Sequence, residues 1–360
     1  MKDCITTRQT AIIASIVIFA NKILALPSLL FQYARGDALL VFLTMFCLDI
    51  AVLFIFFALK NRYRNESFFE ILSHKLTKPI AILIYIVLLV YFFLELLLNF
   101  NVTGVYFKNQ IYHNDEKLIF MVISISIFAI VISGGFKGLA RTFEFFYYPI
   151  ILGCLICLLI SFFNFNEPLI LFDTSFHNYF TACYKYLFSF GDILILFLIM
   201  DKIKYDDKSK KTILLYVLST MGIILFGTFI FLSLFPNTGF LHSNSISDII
   251  LLSPEIFSIG RLDIIAVTTV MFLTLCQGCI YGYMLCDLVK KLIPKAPLKL
   301  SIFIVSVVFL TLYATVFKTI DIVIFSATTW GIYMALFLQY ILPIICTIFL
   351  IGKRKKEESS

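Results

Sequence analysis

The sequence predicts an all-α polytopic membrane protein with ten transmembrane helices, and three observations carry that prediction. Of 360 residues, 61% are hydrophobic and only 14% are charged, a composition foreign to an ordinary soluble domain. The apolar residues collect in runs near the ~20 residues that cross ~30 Å of hydrocarbon at 1.5 Å per residue. The basic residues fall in the short connections between runs and are dense on alternate sides of them. A net charge of +7 distributed in this way is a membrane orientation signal, which excludes nucleic acid as a partner.

Ten runs can be drawn, at 11–31, 38–59, 79–106, 117–134, 143–163, 179–200, 212–235, 261–288, 299–316 and 327–350. With the amino terminus inside, 22 Lys and Arg residues lie on the inner side and 6 on the outer, with Lys22 left over inside a run. That asymmetry places both termini on the cytoplasmic side. The chain reads as a single transmembrane domain over 1–360: helices 1–5 in 1–163, helices 6–10 in 179–350, and a basic cytoplasmic tail at 351–360. The first run is of spanning length with no small-residue cleavage site behind it, so a cleavable signal is not expected.

The first run carries the sharpest anomaly. Lys22 sits near its middle, where an ammonium costs about 2.5–3.5 kcal/mol unless it finds a carboxylate, a carbonyl or water. Pro27 offers no amide to the carbonyl four residues back, at Ile23, and clashes with it. A charge and freed backbone at Asn21, Lys22, Ile23 and Leu24 mark a discontinuous helix that lines a ligand cavity. The alternative is a proline-kinked helix whose lysine snorkels to one face. In the second run Asp49 lies at a depth similar to Lys22 and is the first partner proposed for it. Glu95 in the third run is the second candidate, with Asn99 one helical turn later on the same face. Either pair serves ligand or proton binding, or only fixes helix packing.

Between the second and third runs, residues 66–76 have apolar positions at helical spacing and predict an amphipathic helix along the inner surface. The sixth run contains Ser189-Phe190-Gly191-Asp192, a small flexible break in strongly apolar sequence. It stands in the second half where Ala20–Pro27 stands in the first. Five runs precede it and four follow, which predicts a five-plus-five inverted repeat with broken helices 1 and 6 and a midplane site between them. The stretch 236–259, rich in Ser, Asn and Pro, either caps an outward-facing cavity or is a plain surface loop. The eighth run adds Thr268, Thr269, Thr274, Gln277 and Tyr281. These line a polar cavity or make interhelical hydrogen bonds worth about 0.6 kcal/mol each.

Other chemistries find no support. Most of the nine cysteines lie inside apolar runs as small hydrophobes. The C-x-x-C pairs Cys154/Cys157 and Cys276/Cys279 lack the histidine or second pair that a zinc site needs, so no metal or other cofactor is expected. There is no Walker loop, no G-x-G-x-x-G and no nucleophile and base at recognisable spacing, so neither an ATP-driven pump nor an enzyme is expected.

Three stretches taken together resemble a known family. Ile5-Thr6-Thr7-Arg8-Gln9 leading into Ile23-Leu24-Ala25-Leu26-Pro27 is similar to the opening of the B subunits of GerA-type spore germinant receptors. Those begin with an Ile-Ser-x-x-Gln element and reach an Ile-Leu-x-x-Pro element. Gly138-Leu139-Ala140-Arg141 followed by Phe143-Glu144 resembles their inner-loop Gly-x-x-x-x-Ala-Arg signature. Gly260-Arg261-Leu262-Asp263 resembles the Gly-Arg-Ile/Leu-Asp element at the start of their eighth helix. The resemblance covers essentially the whole chain. It implies kinship with the amino acid–polyamine–organocation (APC) transporters and their LeuT-type inverted repeat. It also implies a ligand-sensing subunit in the inner membrane of the bacterial spore, termini toward the spore core, beside an A subunit and a lipoprotein C subunit. The implied ligands are small germinants, usually amino acids.

One departure stands out: Ala20-Asn21-Lys22 occupies positions where relatives tend to have small residues, often glycine. Lys22 there supplies a cation to a ligand carboxylate, takes the place of a coupling cation, or blocks the site. The expected ligand set is Asn21, Lys22, Ile23, Leu24, Glu95, Ser189, Phe190, Gly191, Asp192, Thr268 and Gln277. The expected ion-pair or proton set is Lys22, Asp49 and Glu95. Two other functions compete with the receptor subunit: a proton-coupled secondary amino acid transporter, and a scaffold with a vestigial pocket.

Overall fold

A computed structural model describes residues 4–110, 117–162, 169–206, 208–242, 245, 248–249, 263–294, 297–315 and 328–350. They form helices α1 (Thr7–Leu24), α2 (Leu26–Ala34), α3 (Ala38–Arg62), α4 (Phe68–Lys75), α5 (Lys78–Gln110), α6 (Lys117–Ser133) and α7 (Gly135–Phe162). Helices α8 (Phe176–Lys185), α9 (Leu194–Leu198), α10 (Ser209–Leu234), α11 (Asp263–Leu292), α12 (Leu298–Thr315), α13 (Thr329–Ala335) and α14 (Leu342–Ile348) follow. Each of the ten apolar runs therefore contains helix. Seven helical stretches among the described residues are long and apolar enough to cross a membrane, one of them running from Leu26 to Arg62 through a short 3₁₀ turn. Thr7–Ala20 and Met121–Ser133 are apolar but shorter, and the sixth run is divided.

Helix α1 is buried among the other helices. Its residues from Ala11 to Ala20 are all buried, as expected of a helix that is apolar on every side. It packs against α10, α11 and α7, while α11 also contacts α5, α6 and α12. Large apolar side chains on the outer helices, such as Leu83, Ile130, Phe145 and Leu215, are exposed. In lipid that outward apolar face needs no further cover.

Local sequence explains where the helices stop. Pro27 falls in the first turn of α2, where its missing amide costs nothing. Ser67 and Glu70 form a reciprocal capping box at the start of α4, so the helix expected in 66–76 is present and packs on α5 and α9. Helix α7 begins at Gly135, eight residues before the fifth run was drawn. Gly138–Arg141 and Phe143-Glu144 thus lie on its first turns and not in an inner loop.

The last run contains an irregularity that its hydropathy hides. Leu336–Ile341 is wound as a π-helix between α13 and α14. Pro343, in the first turn of α14, can offer no amide to the carbonyl of Gln339 four residues earlier. Local widening of the helix is the usual accommodation.

Candidate functional site

The two interruptions expected from the sequence meet in the core, but they differ in kind. In the first, the backbone stays helical through Leu24, and only Ala25 separates α1 from α2. Asn21–Leu24 is therefore not unwound, a correction to the expectation; the side chain of Asn21 lies outside the described residues. The break is short because Pro27 is tolerated in a first turn, so a new helix starts at once. The second interruption is a true one. A 3₁₀ turn at Leu187–Ser189 ends in extended backbone at Phe190, and Gly191 takes φ +82° before α9 begins. That conformation suits glycine alone.

Lys22, 1% exposed, forms an ion pair with Asp192, whose side chain is 7% exposed, and its ammonium stands 5.2 Å from the Phe190 ring centre. The partner is thus Asp192, not Asp49 or Glu95. A carboxylate at the mouth of a broken helix can swing toward α1 in a way that ranking by depth along intact helices does not anticipate. Two buried charges in contact, with further hydrogen bonds on the carboxylate, offset much of the desolvation that either would suffer alone.

The pair is the head of a buried polar chain. The Tyr281 hydroxyl donates to Asp192 Oδ1 at 3.0 Å. Gln277 Nε2 donates to the Tyr281 hydroxyl at 2.9 Å and to the Val17 carbonyl at 3.0 Å. Asn99 Nδ2 donates in turn to Gln277 Oε1, and the Thr103 hydroxyl donates to the Asn99 carbonyl at 2.6 Å. A second chain starts at Gln339, whose Nε2 donates to the Tyr91 hydroxyl at 2.7 Å and the Phe188 carbonyl at 3.3 Å. The Tyr91 hydroxyl donates to Glu95 Oε1 at 2.8 Å. Asp49 accepts from the Tyr340 hydroxyl at 3.4 Å and lies in the field of Lys22 and Asp192.

Of the expected residues, these contacts link Lys22, Phe190, Asp192 and Gln277, place Glu95 and Gly191 around Gln339, and set Asp49 against Tyr340. Ile23 and Leu24 are buried packing residues, and Ser189 is half-buried in the 3₁₀ turn. Thr268 does not belong: it is exposed, and its hydroxyl donates to the carbonyls of Ile264 and Ile265 in its own helix. One step of helix rotation decides this, since the adjacent Thr269 is buried against Gly153. The expected set lacked Tyr91, Tyr281, Gln339 and Tyr340. Tyr281 had been visible as one of several polar groups in the eighth run, and the Gln339…Pro343 spacing was a signal for the tenth.

At one end of the bundle, Gln32, Arg35, Asp173, Asn237 and Phe240 are among the residues lining a cavity of about 450 Å³. Pro236 and Asn237 come from the stretch expected to cap such a cavity; residues 243–244, 246–247 and 250–259 of it lie outside the described residues. Backbone hydrogen bonds and ion pairs hold together the end that carries Lys202 and Lys204. The Ile5 amide donates to the Lys202 carbonyl at 2.9 Å and the Lys204 amide to the Ile5 carbonyl at 3.1 Å. Lys202 pairs with Asp287, and Lys291 reaches both Asp287 and Asp201. Two of the stretches that carry the family resemblance also touch there. Gln9 Nε2 donates to Glu144 at 3.1 Å, and Arg8 pairs with the same carboxylate at 3.3 Å. Of Gly260–Asp263, only Asp263 is described, as the first residue of α11.

A comparison with curated proteins gives no match. A family model described as spore germination protein matches residues 4–323. With most of its length covered, and with the germinant-receptor motifs in order along it, the chain belongs to the spore germination protein family.

Proposed function

We propose that this chain is the ligand-sensing integral membrane subunit of a germinant receptor in the inner membrane of the spore. It would act beside an A subunit and a lipoprotein C subunit, both termini on the core side. Its ten runs form one transmembrane domain as a five-plus-five inverted repeat of the LeuT type, and the ligand is a small amino acid. The observation that carries this reading is the Lys22–Asp192 ion pair, which joins the last turn of α1 to the helix break at Gly191 in a buried polar centre.

Such a pair is a ready acceptor for a zwitterion. An α-amino acid entering between its halves presents its carboxylate to Lys22 and its ammonium to Asp192, so each buried charge exchanges one opposite partner for another. Wall contacts come from Tyr281, Gln277 and Glu95. With both termini on the core side, the cavity by Arg35 faces outward and the stapled end by Lys202 inward, which suits entry from the outer side. The ligand shifts the conformational equilibrium only by its differential affinity for the two states.

Thermal unfolding of the purified full chain against a panel of natural L-amino acids tests this. At least one should raise the midpoint saturably, and Lys22→Met and Asp192→Asn should each abolish that response. An amino acid that stabilises both variants as it does the parent overturns the site. Uptake of the same amino acid into proteoliposomes under a proton gradient separates the receptor from the transporter, since a receptor need not accumulate it.

A further inference from the structure

The polar centre holds more negative than positive charge. Asp49, Glu95 and Asp192 are 0%, 2% and 7% exposed, and Lys22 is the buried cation among them. Lys22 is committed to Asp192, and Glu95 accepts the Tyr91 hydroxyl. Asp49 is served differently: Oδ1 accepts a long hydrogen bond from Tyr340, and the buried Oδ2 has no hydrogen-bond partner.

The neighbour of Tyr340 has the same deficiency. Gln339 Nε2 spends its donors on Tyr91 and Phe188, while its buried Oε1 has no partner. The two orphaned oxygens border one residue. Gln339 Oε1 lies 2.6 Å from where a β-carbon on Gly191 would stand, and the Gly191 amide faces Asp49. Gln339 and Tyr340 are successive residues of the π-helix. Buried acceptors left without donors each cost about 1–3 kcal/mol, more when charged, and are retained where something satisfies them. A cation satisfies two acceptors at once. One formal negative charge among neutral oxygens matches a single positive charge, whereas a divalent ion of the calcium type takes more carboxylates. Among the described residues there is no cluster of three or more His, Cys, Asp or Glu of that type.

We propose that Asp49, Gln339 and Tyr340 form a binding site for a monovalent alkali cation beside the break at Gly191. The site stands apart from the amino acid reading, because it uses the faces of Asp49 and Gln339 that the Lys22–Asp192 chain leaves open.

The test measures the unfolding midpoint of the purified full chain in detergent while sodium or potassium chloride replaces N-methylglucamine chloride at constant ionic strength. One of the two ions should raise the midpoint saturably. Asp49→Asn should remove the effect, and Gln339→Leu should raise the half-saturating concentration at least about tenfold, the scale lost with a supporting group at a metal site. Should Asp49→Asn fail to fold, Gln339→Leu and Tyr340→Phe decide alone. The proposal is overturned if neither ion acts on the parent, or if the variants respond as it does. It is equally overturned if lowering pH stabilises the protein with no dependence on ion, which puts a proton on Asp49. Stabilisation by an amino acid in N-methylglucamine that Asp49→Asn removes assigns the site to a ligand ammonium and also overturns it.

Discussion

Gly191 shows how much one residue carries here. Its φ of +82° excludes a β-carbon on conformational grounds, and a β-carbon built there meets Gln339 Cδ at 2.3 Å. Gly191→Ala should therefore destabilise the protein by at least about 1–3 kcal/mol, the cost of a residue held in a sparsely populated backbone region. Gly191→Ala combined with Gln339→Ala should recover only the steric part, which a thermal-unfolding cycle would read as partial rescue. Full rescue would show that crowding, not backbone conformation, is what glycine relieves. Lys22 was legible as a buried charge from its position alone, because the cost of an ammonium in hydrocarbon does not depend on the fold. Its partner was not legible. Asp49 and Glu95 matched it in depth along intact helices, whereas Asp192 reaches it from a helix break where Gly191 holds a positive φ.

At the scale of elements, α4 and the π-helix are opposite cases. The α4 helix follows from local chemistry: Ser67 accepts from the Glu70 amide while the Glu70 carboxylate accepts from the Ser67 amide. That amide, with the Ser67 hydroxyl, holds the Glu70 carboxyl below its ordinary value. A lowered pKa means that the cap's contribution is present above the unfolded-state value and is lost as pH falls through the folded one. Ser67→Ala should cost about 1 kcal/mol at neutral pH, and the parent's advantage over Ser67→Ala should narrow on acidification by the part that the Ser67 hydroxyl gives the Glu70 carboxylate. Unfolding midpoints of the pair across that range check the sign, and an advantage that grows on acidification would contradict it. The π-helix at Leu336–Ile341 is the reverse. Its sequence has the hydropathy of an ordinary span, and only Pro343 marks it. The amide at Gln339 then becomes a centre of contacts with Tyr91 and Phe188 that lie far away in the chain.

At the scale of the molecule, the two ends differ: a cavity opens among Arg35, Asp173 and Asn237, while the segment before α1 is stapled by backbone hydrogen bonds to Lys202 and Lys204. Lys60 tightens the same end by donating to the Met200 carbonyl at 2.6 Å. Ile5→Pro removes the amide that Lys202 accepts and should speed maleimide labelling of the half-buried, free Cys4 several-fold, mapped by mass spectrometry. An unchanged rate would mean that the staple does not hold the segment. The sequence by itself determined the class of molecule, the course of its apolar runs, the cost of Lys22 and the family, because hydropathy, charge placement and motif order are properties of the chain. The tertiary structure alone decided which carboxylate meets Lys22, that Thr268 faces outward, and that Gln339 and Tyr340 enter the centre. Those depend on helix rotation and on where a broken helix points, and residues more than a hundred positions apart settle both by packing against each other.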